Sequence, residues 1–357
     1  MKTVKILFSV LSASLLLVSC DKDDIKLPDN PKVTTGVFAL SEGSVSFPST
    51  TLSFYNFTGA TTSTDFYFNA NGSSLGTLGN DMIVYGSKMY IVVTVDSYVE
   101  VADAKTAKHI SSIPFEKTAG GNREPRYAVP YKNTVLVSSW DGTVAVIDTA
   151  TLNITKFITV GTNPEQMVVA GDKLYVTNSG GLLPGIDKDS TVSVVNLLTL
   201  AETARIKVGL NPCFITADDN GFIYVGTIGN YVDAGAKLFR INTANNTVVK
   251  SADTAVGKMV FHDGLLYATG GYFGSPHVRT LNPSDFSQTR ANFVTDGTSI
   301  ATPYGITIDP ANGDVYVTDA KNYITGGEVI CFDKTGKRRF SFSTAPGTSP
   351  NTVALVK

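Results

Sequence analysis

The amino-acid sequence predicts an all-β fold, a seven-bladed β-propeller whose ring is closed by the C-terminal strand pairing in the N-terminal blade. Three observations predict it. A tyrosine-centred phrase recurs along the chain, short β-branched runs parted by Gly, Asp and Asn surround each copy, and the two ends of the repeat supply complementary halves of one unit.

The phrase reads KLYVTN at 173–178, FIYVGT at 222–227, LLYATG at 265–270 and DVYVTD at 314–319. Looser copies are KMYIVV at 88–93, TVLVSS at 134–139 and GVFALS at 36–41, which brings the count to seven. Five apolar segments opened by Pro125, Pro164, Pro212, Pro303 and Pro350 supply a further strand. Between such a segment and its phrase stand hairpin residues: Gly171-Asp172, Asn220-Gly221, Asp263-Gly264 and Asn312-Gly313. A third β-rich run follows each phrase, as at 143–148 and 191–196, and then a fourth, as at 154–160. Four strands per unit without a sustained helical period describe a propeller blade.

The roughly 324 residues from Thr34 onward divide into seven units of about 46, close to the period of propeller repeats. A solenoid would have similar periods, but its ends would expose sheet edges. Here the domain opens on a second-strand phrase at Gly36 and closes on a lone first-strand segment at 350–356, and joining the two removes both edges. The phrase tyrosines are expected to fill space between neighbouring blades. The YVTN and YVTD phrases resemble the YVTN family of bacterial surface and periplasmic propellers, a resemblance that implies fold rather than activity.

At the N-terminus, Lys2 and Lys5 precede an apolar run over 6–18. Its length of about 13 residues falls short of the roughly 20 needed to span a membrane, so residues 1–19 read as a secretory signal. Leu17, Val18, Ser19 and Cys20 resemble the lipobox of bacterial lipoproteins, which implies acylation of Cys20. Several acyl chains anchor stably where one is marginal. An ordinary cleaved signal is the plainer alternative. Asp21, Lys22, Asp23 and Asp24 resemble the acidic export signal of surface lipoproteins in Bacteroides-type bacteria, against a solvated acidic linker. Residues 20–35 thus read as the acylated cysteine with a flexible acidic tether, and residues 36–357 as the propeller, held to the outer membrane and facing the cell exterior.

The formal net charge of -2 argues against nucleic acid or an anionic bilayer surface as partner, since both require a basic face. Cys213 and Cys331 lie in strand-like segments and read as free structural thiols.

In a propeller the second-to-third strand loops and the links to the next blade emerge on one face. Loop length varies most there, at 179–190, 229–235, 271–275, 321–326 and 139–142. These loops carry Trp140, Tyr231, Tyr272, Phe273 and Tyr323, each of which alone would read as a loop packing on its own blade. Together, and interleaved with Arg123, Arg126, Gln166, Asn178, Asn230, Asn322 and Asn351, they predict an apolar rim with fixed polar groups, suited to a large flat ligand bearing amides.

Catalysis finds little support. Propeller enzymes commonly hold a metal at the axis; here Asp81 and Glu165 stand at the axial ends of first strands, but Arg126, Cys213, Lys258, Tyr304 and Asn351 occupy the matching positions. His109, His262 and His277 have no metal-ligand spacing, and no nucleophile elbow or carboxylate pair stands out. Asp187 and Asp189 read as a solvated loop before a calcium site. No catalytic cofactor or catalytic residue is expected.

The lipobox with its acidic signal, the single propeller, the blade-seven segment at 315–323 followed by 326–333, and the closing Ser349-Pro350-Asn351 together resemble the surface-exposed vitamin B12-binding lipoproteins of Bacteroides. That resemblance implies a non-enzymatic module that captures cobalamin or other corrinoids and delivers them to a TonB-dependent outer-membrane transporter. The alternative from another class is a surface interaction module that contacts glycan, protein or envelope components through the same face.

Overall fold

The computed structural model describes residues 33–44, 50–184, 187–271 and 275–357. The segment read as a secretory signal, Cys20 and all but the end of the expected tether lie outside the described residues. Among the described residues, the strands form seven four-stranded antiparallel sheets. Blade one is Pro350–Val356, Gly36–Ser41, Thr51–Asn56 and Thr61–Ser63, from the axis outward. Blades two to seven begin at the axis with Gly79–Tyr85, Pro125–Tyr131, Pro164–Ala170, Pro212–Ala217, Met259–His262 and Pro303–Ile308. Each of these inner strands touches the inner strands of both neighbouring blades, so the ring is continuous.

Its closure is the one the sequence predicts. Pro350–Val356 pairs antiparallel with Gly36–Ser41, from Gly36 opposite Val356 to Ser41 opposite Pro350. Proline suits the start of an inner strand because the ladder asks no N–H of it there. Before four of these prolines Glu124, Asn163, Asn211 and Ser349 adopt left-handed backbone, which turns the chain sharply from the outer edge of one blade back to the axis.

No single core fills the molecule. Seven apolar clusters lie one to each blade boundary, and the second strands are buried because a blade covers each of their faces. The phrase tyrosines sit in these seams: Tyr90, Tyr175, Tyr224 and Tyr316 are fully buried, and Tyr267 nearly so. Tyr175 of blade four reaches across to blade five, where its hydroxyl donates to Oδ1 of Asn246 at 2.9 Å. Cys331 is a buried free thiol in the seam between blades seven and one, and Cys213 is also free.

Two features go beyond the sequence reading. A six-residue helix, Phe66–Asn71, joins blade one to blade two, and Tyr67 donates from it to Oε1 of Glu100 at 2.8 Å. Thr34 and Thr35, assigned to the tether, are already bound to the ring: Thr35 N–H donates to Val356 O at 2.7 Å and Thr34 donates to the Asp309 carboxylate. The chain therefore joins the propeller at the pole that carries the first-to-second turns. The second-to-third loops occupy the opposite pole, because Gly36–Ser41 begins beside the end of Pro350–Val356 and finishes beside its start.

Candidate functional site

The site grows out of an irregularity repeated in the inner strands. In six blades the register slips just after the strand opens. Gly79 pairs with Val93 but Asp81 with Val92, and Pro212 pairs with Thr227 but Phe214 with Gly226. The same slip occurs in blades one, three, four and seven. A bulge of this kind re-aims the extra side chain. The residues at the slip are Asn80, Arg126, Glu165, Cys213, Tyr304 and Asn351, while Lys258 occupies the corresponding place just before Met259. This corrects the sequence reading at one position: Asn80, not Asp81, is the blade-two member of the axial set, because the bulge moves Asp81 one step along the strand.

At this ring Arg126 and Glu165 form an ion pair, Nε to Oε2 at 3.1 Å, with side chains 13% and 10% exposed. The guanidinium also lies over the Trp140 indole, 4.1 Å from its centroid. Burial works against the Arg126 charge, but Glu165, Tyr127 and Glu42 together hold it firmly protonated. Across the ring Tyr304 donates to Oε2 of Glu42 at 2.9 Å. Burial pushes the Glu42 carboxyl up, against the Tyr304 hydrogen bond and the Arg126 and Lys258 charges.

Above the ring stand two loops of the same construction. In Asn230-Tyr231-Val232 and Asn322-Tyr323-Ile324 the asparagine Oδ1 gathers the backbone N–H groups that follow it. Asn230 accepts from Val232, Asp233 and Ala234 at 2.9–3.1 Å, and Asn322 from Ile324 and Thr325 at 3.0 and 2.8 Å. Each tyrosine is thereby held in left-handed backbone, with φ 65° at both positions. Gly229 opens the first loop because a Cβ there would meet Ala234 O at 1.9 Å. Tyr231 is 56% exposed and Tyr323 49%, and the branched residues beside them, Val232 and Ile324, are more exposed still.

Both tyrosines are braced from below. Asn211 donates to the Tyr231 hydroxyl at 3.4 Å and accepts from the Cys213 thiol at 3.2 Å. Burial raises that thiol well above its ordinary range, so it is a neutral packing group. Tyr323 meets Tyr304 edge to face, with centroids 5.6 Å apart.

The predicted rim thus divides into an outer and an inner part. Tyr231 and Tyr323 reach the surface; Tyr272 and Phe273 lie outside the described residues. Trp140 is drawn inward by Arg126 and Glu165. Gln166 accepts from Ile215 N–H at 3.1 Å, bridging blades four and five. Asn351 donates to Gly79 O at 3.0 Å and Asn80 O at 2.9 Å, stitching blade one to blade two. Asn178 is the plainest correction. It is fully buried, accepts from Gly161 N–H and donates to Thr191 and Ser193, so blade four itself consumes its amide. Asn230 and Asn322 act as loop staples through their carbonyl oxygens, which are spent on their own loops. Arg123 is occupied by Asp141 and by the Phe157 ring.

Glu42 escaped the sequence reading. It follows the second strand of blade one, the place Trp140 holds in blade three, and aligning the seven phrase ends would have exposed both as exceptional. Among the described residues no three His, Cys, Asp or Glu side chains converge to hold a metal. Asp189 accepts instead from Thr162 N–H, Ser190 N–H and the Thr191 hydroxyl.

Comparison with known proteins bears on the fold and the family. No curated protein matches the chain. A quinonprotein alcohol dehydrogenase-like protein from Bacteroides thetaiotaomicron is 16% identical, with a TM-score of 0.63 over 90% of this chain and 78% of that one. A putative 6-phosphogluconolactonase from Bacteroides fragilis is 13% identical, with a TM-score of 0.63 over 90% and 98%. Hydrazine synthase from Kuenenia stuttgartiensis is 16% identical, with a TM-score of 0.59 over 72% and 76%. At such identities the likeness is one of fold alone. Residues 35–348 match a family model described as a domain of unknown function, DUF5074. That match runs from the residue that joins the ring at Val356 to the outer strand of blade seven, and the chain belongs to the DUF5074 family.

Proposed function

We propose that this propeller is a non-enzymatic capture module that takes a broad, amide-bearing ligand of the corrinoid class on its loop pole and delivers it to a TonB-dependent outer-membrane transporter. The observation that carries this reading is the pair of Asn-Tyr loops. Each holds an aromatic ring and a branched aliphatic side chain toward solvent in a backbone conformation that costs a non-glycine residue about 1–2 kcal/mol. Strain maintained by dedicated hydrogen bonds is a mark of ligand clamps. Leu182, 57% exposed on blade four, adds apolar surface on the same pole. A rim preformed in this way loses little freedom on binding, and the flat faces of its rings suit a flat ligand.

The test is calorimetric titration of cyanocobalamin into the full chain in detergent. Saturable heat at a stoichiometry of one supports the reading. A folded sample that gives no heat at micromolar concentration removes the corrinoid and leaves a rim that contacts glycan, protein or envelope.

A further inference from the structure

Asparagine is followed by glycine at three places in the sequence, Asn71-Gly72, Asn220-Gly221 and Asn312-Gly313. This is the pairing in which an asparagine side chain most readily reacts with its own backbone, because glycine carries no Cβ to shield the nitrogen that follows. The reaction asks two things of the structure. The asparagine carboxamide must be free to rotate toward that nitrogen, and the glycine N–H must be free to lose its proton to solvent.

The fold denies both at two of the three places. Asn71 ends the helix Phe66–Asn71, where its Nδ2 donates to Tyr67 O at 2.9 Å and Ala107 O at 2.8 Å and its Oδ1 accepts from His109 N–H at 2.8 Å. Gly72 N–H donates to Phe68 O at 2.7 Å. In the first-to-second turn of blade seven, Asn312 Nδ2 donates to Oδ2 of Asp314 at 3.0 Å, and its Oδ1 accepts from Asp314 N–H at 2.8 Å. Gly313 N–H donates to Asp309 O at 2.8 Å.

The equivalent turn of blade five is braced differently. Oδ1 of Asp218 accepts the N–H groups of Asn220 at 2.9 Å and Phe222 at 2.8 Å, and its Oδ2 accepts the Tyr224 hydroxyl at 2.8 Å. Because the aspartate holds the turn, the asparagine side chain is left over. Asn220 and Gly221 are both exposed, and among the described residues neither the Asn220 carboxamide nor the Gly221 N–H has a hydrogen-bond partner.

We propose that Asn220 is a site of spontaneous deamidation, and that the fold protects Asn71 and Asn312 from the same reaction. Solvent base takes the Gly221 N–H proton, and the nitrogen attacks Cγ of Asn220. The new Cγ–N bond closes a five-membered succinimide, while the bond to the side-chain nitrogen breaks and releases ammonia. Water then opens the ring at either carbonyl, leaving aspartate or isoaspartate. Each product sets a third carboxylate beside Asp218 and Asp219, and adds one negative charge to a chain of formal net charge -2. The turn lies at the pole opposite the tyrosine loops, so the proposal does not depend on what those loops bind.

The experiment is prolonged incubation of the full chain in detergent at pH 8, with each Asn-Gly pair followed over time by peptide mass spectrometry. A gain of one mass unit should accumulate at Asn220 at least about tenfold faster than at Asn71 or Asn312, since a protected site reacts only in the fraction of molecules that has opened locally. In guanidinium chloride, where the bonds that protect Asn71 and Asn312 are lost, that gap should close. Gly221→Ala sets a methyl group beside the attacking nitrogen and should slow the reaction at Asn220 alone. A rate at Asn220 no faster than at the other two in the folded chain, or the same ordering in denaturant, overturns the proposal. If Gly221→Ala fails to fold by circular dichroism, the comparison of native and denatured parent decides alone.

Discussion

Trp140 of blade three donates its indole N–H to Oε1 of Glu165 in blade four at 2.8 Å, while the other oxygen of that carboxylate takes Arg126 at 3.1 Å. One carboxylate thus compensates a buried cation and positions an indole at the boundary of two blades. Glu165→Ala should destabilise the fold by about 3–5 kcal/mol, because it strands the Arg126 charge. Glu165→Gln, which keeps an acceptor, should cost less. Urea unfolding of both variants is the check, and equal losses would mean that the charge does not matter.

For the twin loops, stability and binding should move apart. Tyr231→Gly and Tyr323→Gly relieve left-handed strain, so unfolding midpoints should hold or rise. Cyanocobalamin affinity should fall by about 2 kcal/mol, roughly thirtyfold, at each position. Asn220→Ala, in a turn at the opposite pole, should leave affinity unchanged in the same titration.

Two carboxylates should give opposite slopes of stability with pH. Burial raises the Glu42 pKa in the folded ring, so its contribution is complete below the ordinary glutamate range and is lost as pH rises through the folded value. Asp296 is held down to about 2, chiefly by the Arg338 backbone N–H, so its contribution is present above the ordinary aspartate range and is lost as pH falls toward that value. Glu42→Gln should therefore be more stable than the parent at pH 8, with the difference shrinking toward pH 4.5. A gap that stays constant with pH in urea titrations would rule out Glu42 as its source.

Deletion of residues 350–357 removes the partner of Gly36–Ser41 and exposes that strand's edge. Soluble yield should collapse, or the thermal transition should broaden and fall by at least about 10 °C, a shift that corresponds to several kcal/mol for a chain of this size. An unchanged transition would show that the inner strand of blade one is dispensable.

Cys20→Ala should release the protein from membranes, since the proposed anchor is its lipid. Persistence of the variant in a high-salt-washed outer-membrane fraction would disprove lipid anchoring.

The blades were legible because their signal is local and repeated: a tyrosine phrase, a turn and a proline recur wherever one strand hands over to the next. The closure was legible from the mismatch between Gly36 and Pro350. The site was only partly so. Its aromatic loops stood out by composition at Tyr231 and Tyr323, but which amides remain available depends on contacts between blades. Asn178 and Asn351 look alike as letters; one is consumed within blade four, while the other bridges to blade two and keeps an unpaired oxygen. Glu42 was hidden because blade one is split between the two ends of the chain, so its phrase was the loosest copy.

Thr34 and Thr35 meet the ring at the pole with the first-to-second turns, while Tyr231 and Tyr323 stand at the other. The strands between span six residues, or roughly 20 Å. If the proposed lipid on Cys20 anchors the protein, the chain enters the ring from the pole opposite the tyrosine loops. Under that proposal the body of the ring would act as a spacer between the attachment point at Thr34 and the tyrosine loops, and a large solute or a second protein could approach those loops from the far pole.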